Sequence, residues 1–211
     1  MSVDLTRITT LLGDLEEDEL LGAVEECISE GADPLAVVEA CREGMDIVGK
    51  RFNEEEYFVS ELICSAELFQ GVMEIVGPKL EAIEDEGPKV KVVFGTVKDD
   101  IHDIGKDIVI AMLRCSGIEV YDLGINVPPQ VFVDTIKETG AKIVGMSGLL
   151  TIAFASMEET IKALKAADPE VKTMIGGGMT NDLVCEKVGA DGWGRNAMEA
   201  VQLVKSFAEV I

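Results

Sequence analysis

The spacing of the apolar residues changes once along this chain, and that change constrains the fold more than any other feature. Up to about residue 80, apolar residues recur every three or four positions, which is typical of amphipathic helices. From residue 90 onwards, short β-rich runs alternate with helical patterns. The chain has 211 residues, enough for two small domains that each bury a core. The sequence therefore predicts a helical part followed by an α/β part.

Four amphipathic segments make up the first part. Asp33 is a good helix N-cap and Pro34 a good first helical residue. The helix that they begin carries its apolar stripe at Leu35, Val38, Cys41, Met45, Val48 and Phe52. A further stripe runs from Leu62 to Leu80, and shorter ones lie between Leu5 and Leu12 and between Leu20 and Ile28. We predict a four-helix bundle over residues 1–83.

The second part alternates strands and helices. Gly87 and Pro88 end a stretch without periodicity, so residues 84–89 are interpreted as a linker. Beyond it, strands are predicted at 90–97, 118–122, 143–147, 172–175 and 191–193, and helices at 106–115, 129–139, 154–166, 181–188 and 196–209. Five β–α repeats predict a doubly wound, Rossmann-like (flavodoxin-like) five-stranded parallel sheet over residues 90–211. Such sheets bind ligands in the loops after their strands.

Charge and cysteine usage exclude several classes of protein. The net charge is −22, and residues 1–88 alone carry 5 basic and 23 acidic residues. Binding to nucleic acid or to anionic membranes needs clustered Lys and Arg, so neither partner is expected. No secretory signal is visible, and the longest uncharged stretch, residues 143–157, is too short to span a bilayer. With five widely spaced cysteines, we expect a cytoplasmic protein with reduced, mostly buried thiols.

The loop after the first predicted strand contains the single histidine of the chain, His102. In an extended loop, residues two apart project to the same side, which can bring the Asp100 carboxylate beside the His102 ring. Such a carboxylate fixes the tautomer of the ring and raises the basicity of its other nitrogen. Gly105 lets the chain turn tightly into the next helix. One protein ligand cannot hold a bare metal ion, but it can supply the axial ligand of a metal held in a macrocycle.

Three motifs in this order resemble the cobalamin-binding signature of the corrinoid proteins. They are Asp100-x-His102-x-x-Gly105, Ser147-x-Leu149 after the third strand, and Gly176-Gly177 after the fourth. The signature is shared by cobalamin-dependent methionine synthase and by the corrinoid subunits of methylotrophic and acetogenic methyltransferase systems. The surrounding GTVKxDIHDIGK and VxDLGxNVP segments are also similar. The resemblance covers essentially the whole chain, because those subunits also pair a helical-bundle cap with a doubly wound domain.

The resemblance implies that cobalamin binds base-off and His-on. His102 would coordinate cobalt, and the nucleotide tail of the cofactor would enter a slot in the sheet domain. Ser147, Leu149 and Thr151 are slim enough to line that slot. Gly176 and Gly177 would let the nucleotide lie against the backbone, although a run of glycines also suits a tight strand-to-helix turn.

The bundle would supply the other face of the site. In the related proteins, one helix of the bundle covers the reactive upper face of the corrin ring. The fourth predicted helix would take that role here, with Phe69 and Met73 as candidates. Both residues also lie on the apolar stripe, so a place in the bundle core remains open for each.

Two positions depart from the family pattern. The glycine that usually precedes the motif Asp is Asp99 here. In methionine synthase a serine completes a His–Asp–Ser relay, and the matching position here is Ala153. The relay is therefore expected to be truncated, or completed by a hydroxyl such as that of Thr151 or by a water.

The function implied by the resemblance is that of a methyl carrier without turnover of its own. It would accept a methyl group on cobalt from a substrate-specific methyltransferase and deliver it to a second methyltransferase, with tetrahydrofolate or a thiol as the acceptor. A reductive activator is a further implied partner. Two alternatives are a cobalamin-dependent sensor or regulator, and the cobalamin-binding part of a carbon-skeleton mutase.

Overall fold

The computed structural model describes residues 5–80 and 90–211. The chain divides into two compact units, residues 1–88 and residues 89–211. The predicted linker at 84–89 lies outside the described residues. Each unit builds a core from the stripes or strands that its own sequence predicts.

Four helices make up the described part of the first unit, as the apolar stripes predict. They are α1 (Leu5–Gly13), α2 (Glu17–Ser29), α3 (Pro34–Asn53) and α4 (Val59–Leu80). The Asp33 carboxylate caps α3 by accepting a hydrogen bond from the backbone N–H of Leu35 at 3.1 Å. Gly44 lets α3 pack closely on α1, because a methyl carbon there would lie 2.9 Å from the Thr9 carbonyl oxygen. The Leu35 side chain, predicted on the α3 stripe, is exposed in the first turn instead.

Five parallel strands form one sheet in the second unit. They are β1 (Lys91–Thr96), β2 (Glu119–Asp122), β3 (Ile143–Ser147), β4 (Lys172–Gly176) and β5 (Gly192–Gly194), in the order β2-β1-β3-β4-β5. The intervening helices are α5 (Ile104–Cys115), α6 (Pro129–Thr139), α7 (Ala153–Ala167) and α8 (Asp182–Val188), and α9 (Ala197–Ala208) follows β5. The predicted fold class, a helical bundle followed by a doubly wound five-stranded sheet, is confirmed. Within the second unit, the largest boundary difference lies at α5, which begins two residues earlier than predicted, close behind His102.

The cysteines are mostly buried, as the sequence predicts. Each of the five cysteines is a thiol outside any disulfide, and every one except Cys64 is buried. Burial raises the pKa of Cys41 and of Cys115 to about 12. No helix within residues 5–80 and 90–211 is long and apolar enough to cross a bilayer.

Candidate functional site

The register of the sheet brings the three sequence motifs to one edge. Thr96 at the end of β1 pairs with Ser147 at the end of β3, and Ser147 pairs with Gly176 at the end of β4. The loops after these strands therefore start side by side. Asp100 and His102 follow β1, and Leu149 and Thr151 follow β3. This alignment is what a ligand site at the carboxyl end of a parallel sheet requires.

Asp100 and His102 form the pair that the sequence predicts. The His102 Nδ1 lies 2.8 Å from Oδ1 of Asp100, and the His102 backbone N–H donates to the same oxygen at 3.0 Å. An ionised carboxylate only accepts, so Nδ1 carries a proton, and in the neutral imidazole the lone pair is then on Nε2. The Asp100 side chain is 0% exposed, whereas that of His102 is 46% exposed. The pair thus combines a buried orienting carboxylate with an imidazole that is open to solvent.

Two backbone amides take the place that a serine occupies in the methionine synthase relay. The second oxygen of Asp100 accepts hydrogen bonds from the N–H of Leu149 at 2.8 Å and of Leu150 at 3.1 Å. Ala153, at the position of that serine, is buried at the start of α7, and Thr151 is exposed. The Asp100 carboxylate is therefore completed by the main chain of the β3–α7 loop instead of by a hydroxyl.

These hydrogen bonds also determine the ionisation of Asp100. Burial by itself raises the pKa of this carboxyl, but the hydrogen bonds from the backbone N–H groups of His102, Leu150 and Leu149 and from the His102 ring outweigh it. The net result lowers the pKa to about 2. Asp100 is consequently a carboxylate at neutral pH and holds the His102 ring in one tautomer.

Asp99 explains one departure from the family pattern. Its φ is +67°, in the left-handed region that glycine adopts without steric cost. The usual glycine at this position is therefore a backbone requirement of the loop. Aspartate is one of the few other residues that tolerate this conformation, and its side chain is exposed.

The motif glycines have different structural roles. A methyl carbon at Gly105 would meet nothing within 4 Å, and one at Gly176 would make only an ordinary contact of 3.6 Å with the carbonyl oxygen of Gly194. At Gly177, where φ is +132°, it would lie 2.1 Å from the carbonyl oxygen of Gly148. Gly177 is thus required by the fold, whereas Gly105 and Gly176 leave open space that the fold itself does not use.

Exposed apolar side chains around this edge were not singled out from the sequence, apart from Leu149. They stand in or next to the loops after β1, β2, β3 and β4, and comprise Ile101, Ile104, Ile125, Leu149, Leu150, Ile152 and Met179. A single exposed apolar residue is ordinary on a protein surface. Seven at one end of a sheet, around an open histidine, indicate a site for a large and partly apolar ligand. In the sequence, each of these residues stands out only as an apolar residue inside a predicted loop.

Phe69 and Met73 lie on α4, as predicted, but they are not its most exposed apolar residues. Phe69 is only 7% exposed, and Met73 is partly buried. Phe58, immediately before α4, is 66% exposed, and Val59 and Ile63 in its first turn are also exposed. The structure therefore places Phe69 in a core environment and offers a second apolar set at the start of the same helix.

Family models match this chain in two parts, which correspond to its helical unit and its sheet unit. Residues 5–76 and residues 90–202 each match a family model described as a B12 binding domain. The chain is 34% identical over 197 residues to trimethylamine corrinoid protein 1 of Methanosarcina acetivorans, covering 92% of this chain and 91% of the relative. It is 32% identical over 206 residues to dimethylamine corrinoid protein 2 of the same organism, covering 96% and 95%.

Two solved structures match over nearly the whole chain. A cobalamin-binding protein from Desulfitobacterium hafniense superposes with a TM-score of 0.82 at 38% identity, covering 97% of this chain and 98% of that one. A chain of the methanol:cobalamin methyltransferase complex from Methanosarcina barkeri superposes with a TM-score of 0.82 at 25% identity, covering 99% and 81%.

Proposed function

Because this chain belongs to the B12 binding domain family, we propose that it is a corrinoid methyl carrier. It accepts a methyl group from a substrate-specific methyltransferase and delivers it to a second one. The bound cobalamin supplies the cobalt that takes up and releases the methyl group, and the protein supplies binding, ligation and shielding. The observation that carries the proposal is the half-exposed His102 held by the buried Asp100 carboxylate at the sheet edge.

The residues at this edge fit a corrinoid. A corrin ring presents a broad and partly apolar face, and the seven exposed apolar side chains of the loops would lie against such a face. The open space at Gly105 and Gly176 allows a ligand to approach the backbone there. Ser147, at the end of β3, and Leu149, in the loop that follows it, would line a slot for the nucleotide tail.

We propose the base-off, His-on mode for the bound cofactor. In this mode the Nε2 atom of His102 is the protein ligand of cobalt. Asp100 contributes by holding Nδ1–H, and the amides of Leu149 and Leu150 contribute by keeping Asp100 ionised and immobile.

The upper face of the cofactor needs apolar cover, and the bundle is its proposed source. We assign this role first to Phe58, Val59 and Ile63, because exposed side chains are free to contact a ligand. Met73, which is only partly buried, remains a candidate. Phe69 is too deeply buried to offer much surface to a cofactor unless the bundle rearranges.

The partners follow from the carrier role. The relatives are named after trimethylamine and dimethylamine, and the matching complex after methanol, so we propose that the methyl donor is recognised by the partner methyltransferase. The second methyltransferase would use tetrahydrofolate or a thiol as acceptor, and a reductive activator would restore cobalt that has been oxidised. The sensor alternative is not favoured, because the relatives and structural neighbours are corrinoid proteins of methyltransferase systems.

Reconstitution with hydroxocobalamin tests the proposal. After desalting, the protein should retain one cobalt per chain, and its methylated form should show the visible spectrum of base-off cobalamin with a nitrogen ligand. His102→Ala should keep most of the affinity, because the corrin and its tail make the larger contact, but should show the five-coordinate spectrum. Asp103→Ala is the matched control, since Asp103 lies in the same loop and its side chain caps nothing.

Each outcome has a consequence. A wild-type protein that retains no cobalt contradicts the carrier proposal. A His102→Ala protein with the wild-type spectrum would show that His102 is not the cobalt ligand, while the carrier proposal would stand.

A further inference from the structure

The loop that carries His102 is held on a second side, by the segment after β2. Asn126 has φ of +53°, and its side-chain Oδ1 accepts a hydrogen bond from the backbone N–H of Asp99 at 2.9 Å. The backbone N–H of Asn126 donates to the carbonyl oxygen of Asp100 at 3.0 Å. One residue therefore binds the main chain of the loop at two consecutive positions, just ahead of His102.

The segment that carries Asn126 is itself anchored. The N–H of Thr96 donates to the carbonyl oxygen of Gly124 at 2.9 Å, and the N–H of Val127 donates to the carbonyl oxygen of Thr96 at 3.0 Å. The hydroxyl of Thr96, which is fully buried, donates to the carbonyl oxygen of His102 at 2.9 Å. Asn126 thus extends from a segment that is hydrogen-bonded to the end of β1.

An ion pair fixes the start of the same segment to α5. The buried Lys106 ammonium donates to both carboxylate oxygens of Asp122 at 2.9 Å, and one of those oxygens also accepts the N–H of Gly124. The Lys106 side chain is 3% exposed and that of Asp122 is 32% exposed, so the ion pair is buried on its lysine side. The helix that follows His102 and the segment that holds its loop are therefore tied together.

From these contacts we infer that Asn126 is a positioning residue for the proposed cobalt ligand. It holds the main chain of Asp99 and Asp100, and so keeps the His102 ring directed outwards, by bonds that do not involve the Asp100 carboxylate. This inference rests on the proposed function, in which His102 ligates cobalt. The carboxylate orients the ring, and Asn126 orients the loop from which the ring extends.

The competing explanation is that Asn126 is present only because asparagine tolerates a left-handed turn. Two substitutions separate the explanations. Asn126→Gly keeps the backbone conformation and deletes the acceptor, whereas Asn126→Asp keeps an acceptor of the same shape. The control is Asn196→Gly, which deletes the same side chain at the N-cap of α9, where it accepts from the N–H of Glu199 at 2.9 Å.

The first measurement uses the apo-protein and needs no cofactor. In Asn126→Gly, the amide of Asp99 should exchange its hydrogen about fivefold faster, as expected for the loss of one hydrogen bond. Asn126→Asp should keep the slow exchange, and so should Asn196→Gly.

The second measurement uses the methylated holo-protein and its visible spectrum in acid. For Asn126→Gly, the pH at which half of the protein loses the histidine ligand should rise by about 0.7, the equivalent of a fivefold weaker ligation. Asn196→Gly should leave that pH unchanged, although it loses a cap.

The inference fails if Asn126→Gly keeps wild-type exchange and the wild-type spectrum in acid, or if Asn126→Asp loses as much amide protection as Asn126→Gly. If His102→Ala has the wild-type spectrum, the proposed ligation fails instead, and the exchange of the Asp99 amide still decides whether Asn126 holds the loop.

Discussion

The two units of this protein differ in how the position of a residue in the sequence predicts its role. In the helical unit, the regular stripe of α4 places Phe69 in a buried environment, and the exposed aromatic residue, Phe58, stands outside the stripe at the start of the helix. In the sheet unit, the residues that carry chemistry stand at strand ends, where parallel pairing brings them together. Periodicity in a helix therefore predicts burial, whereas register in a sheet predicts which residues meet.

The comparison is tested most severely by truncating the two phenylalanines. Phe69→Ala should lower the free energy of unfolding by about 3–5 kcal/mol, the usual loss for a large aromatic residue removed from a core. Phe58→Ala should change it by less than about 0.5 kcal/mol, because its side chain already faces solvent in this structure. Urea unfolding of the apo-protein, followed by circular dichroism, measures both values.

In the holo-protein, the same two variants distinguish a residue of the bundle core from a residue that covers the cofactor. Phe58→Ala should lose its cobalt-bound methyl group to light faster than the wild type, since the proposed cover is removed. If Phe69→Ala proves harmless to stability and speeds photolysis instead, Phe69 is the residue that covers the cofactor and the assignment of Phe58 is wrong.

The second prediction concerns the paired glycines of the sheet unit. Gly177→Ala places a methyl carbon 2.1 Å from the Gly148 carbonyl oxygen and should cost about 2–3 kcal/mol of stability through strain. Gly176→Ala makes an ordinary contact, so its stability should stay within about 0.5 kcal/mol of the wild type. If the nucleotide tail lies against Gly176, its cobalamin affinity should fall about tenfold, a loss of 1.4 kcal/mol.

Thermal unfolding and equilibrium binding separate these effects. A Gly176→Ala protein with unchanged affinity would show that the nucleotide tail does not lie against Gly176. A Gly177→Ala protein of normal stability would mean that the β3 and β4 loops are less closely packed than this structure has them.

Much of the fold was predictable because its signals are local. The capping pair Asp33-Pro34, the four stripes and the alternation beyond residue 90 depend on neighbouring residues only. The pairing of Asp100 with His102 was predictable for the same reason, since the two residues are two positions apart. Confirmation of the family came from the comparisons, which match both parts of the chain.

The remainder of the site depends on contacts between distant segments. The amides of Leu149 and Leu150 reach Asp100 across about fifty positions of sequence, and Asn126 reaches Asp99 across 27. Backbone donors carry no signature in the residue type, so no pattern indicated that they replace a serine. The exposure of Phe58 was likewise set by where α4 begins, and boundaries are the weakest element of a sequence-based prediction.

The third prediction uses acid to test the buried carboxylate of the sheet unit. The pKa of Asp100 is lowered from 3.8 to about 2, so its contribution to stability is complete above pH 4 and is lost as the pH falls towards 2. The shift corresponds to about 2 kcal/mol. The Asp100→Asn variant should lack this part of the loss of stability in acid. Urea unfolding of the apo-protein between pH 5 and pH 2 would measure the difference.

Asp46→Asn is a suitable control, since this change removes a carboxylate from the helical unit. The control should retain the acid dependence due to Asp100. Equal slopes for Asp100→Asn and the wild type would show that the backbone amides do not hold the carboxylate as described.

The smallest expected effect compares backbone strain in the two units. Asp99 in the sheet unit and Glu55 in the helical unit both adopt left-handed conformations, with φ of +67° and +62°. For a residue with a Cβ, that conformation has a steric cost of about 1 kcal/mol or more, and glycine removes it. Part of this gain is lost because glycine increases the conformational entropy of the unfolded chain. Asp99→Gly should therefore gain about 0.5 kcal/mol of stability, and Glu55→Gly about 1 kcal/mol, since glutamate tolerates the conformation less well than aspartate.

Alanine at the same two positions is the control, because it removes the charge and keeps the Cβ. Asp99→Ala and Glu55→Ala should gain nothing, and urea unfolding at neutral pH can resolve the difference. A gain in Asp99→Ala equal to that in Asp99→Gly would trace the cost of Asp99 to its charge beside Asp100. A gain confined to the glycine variants in both units would show that the departure at Asp99 is a backbone cost of the same kind as at Glu55, unrelated to the chemistry of the neighbouring histidine.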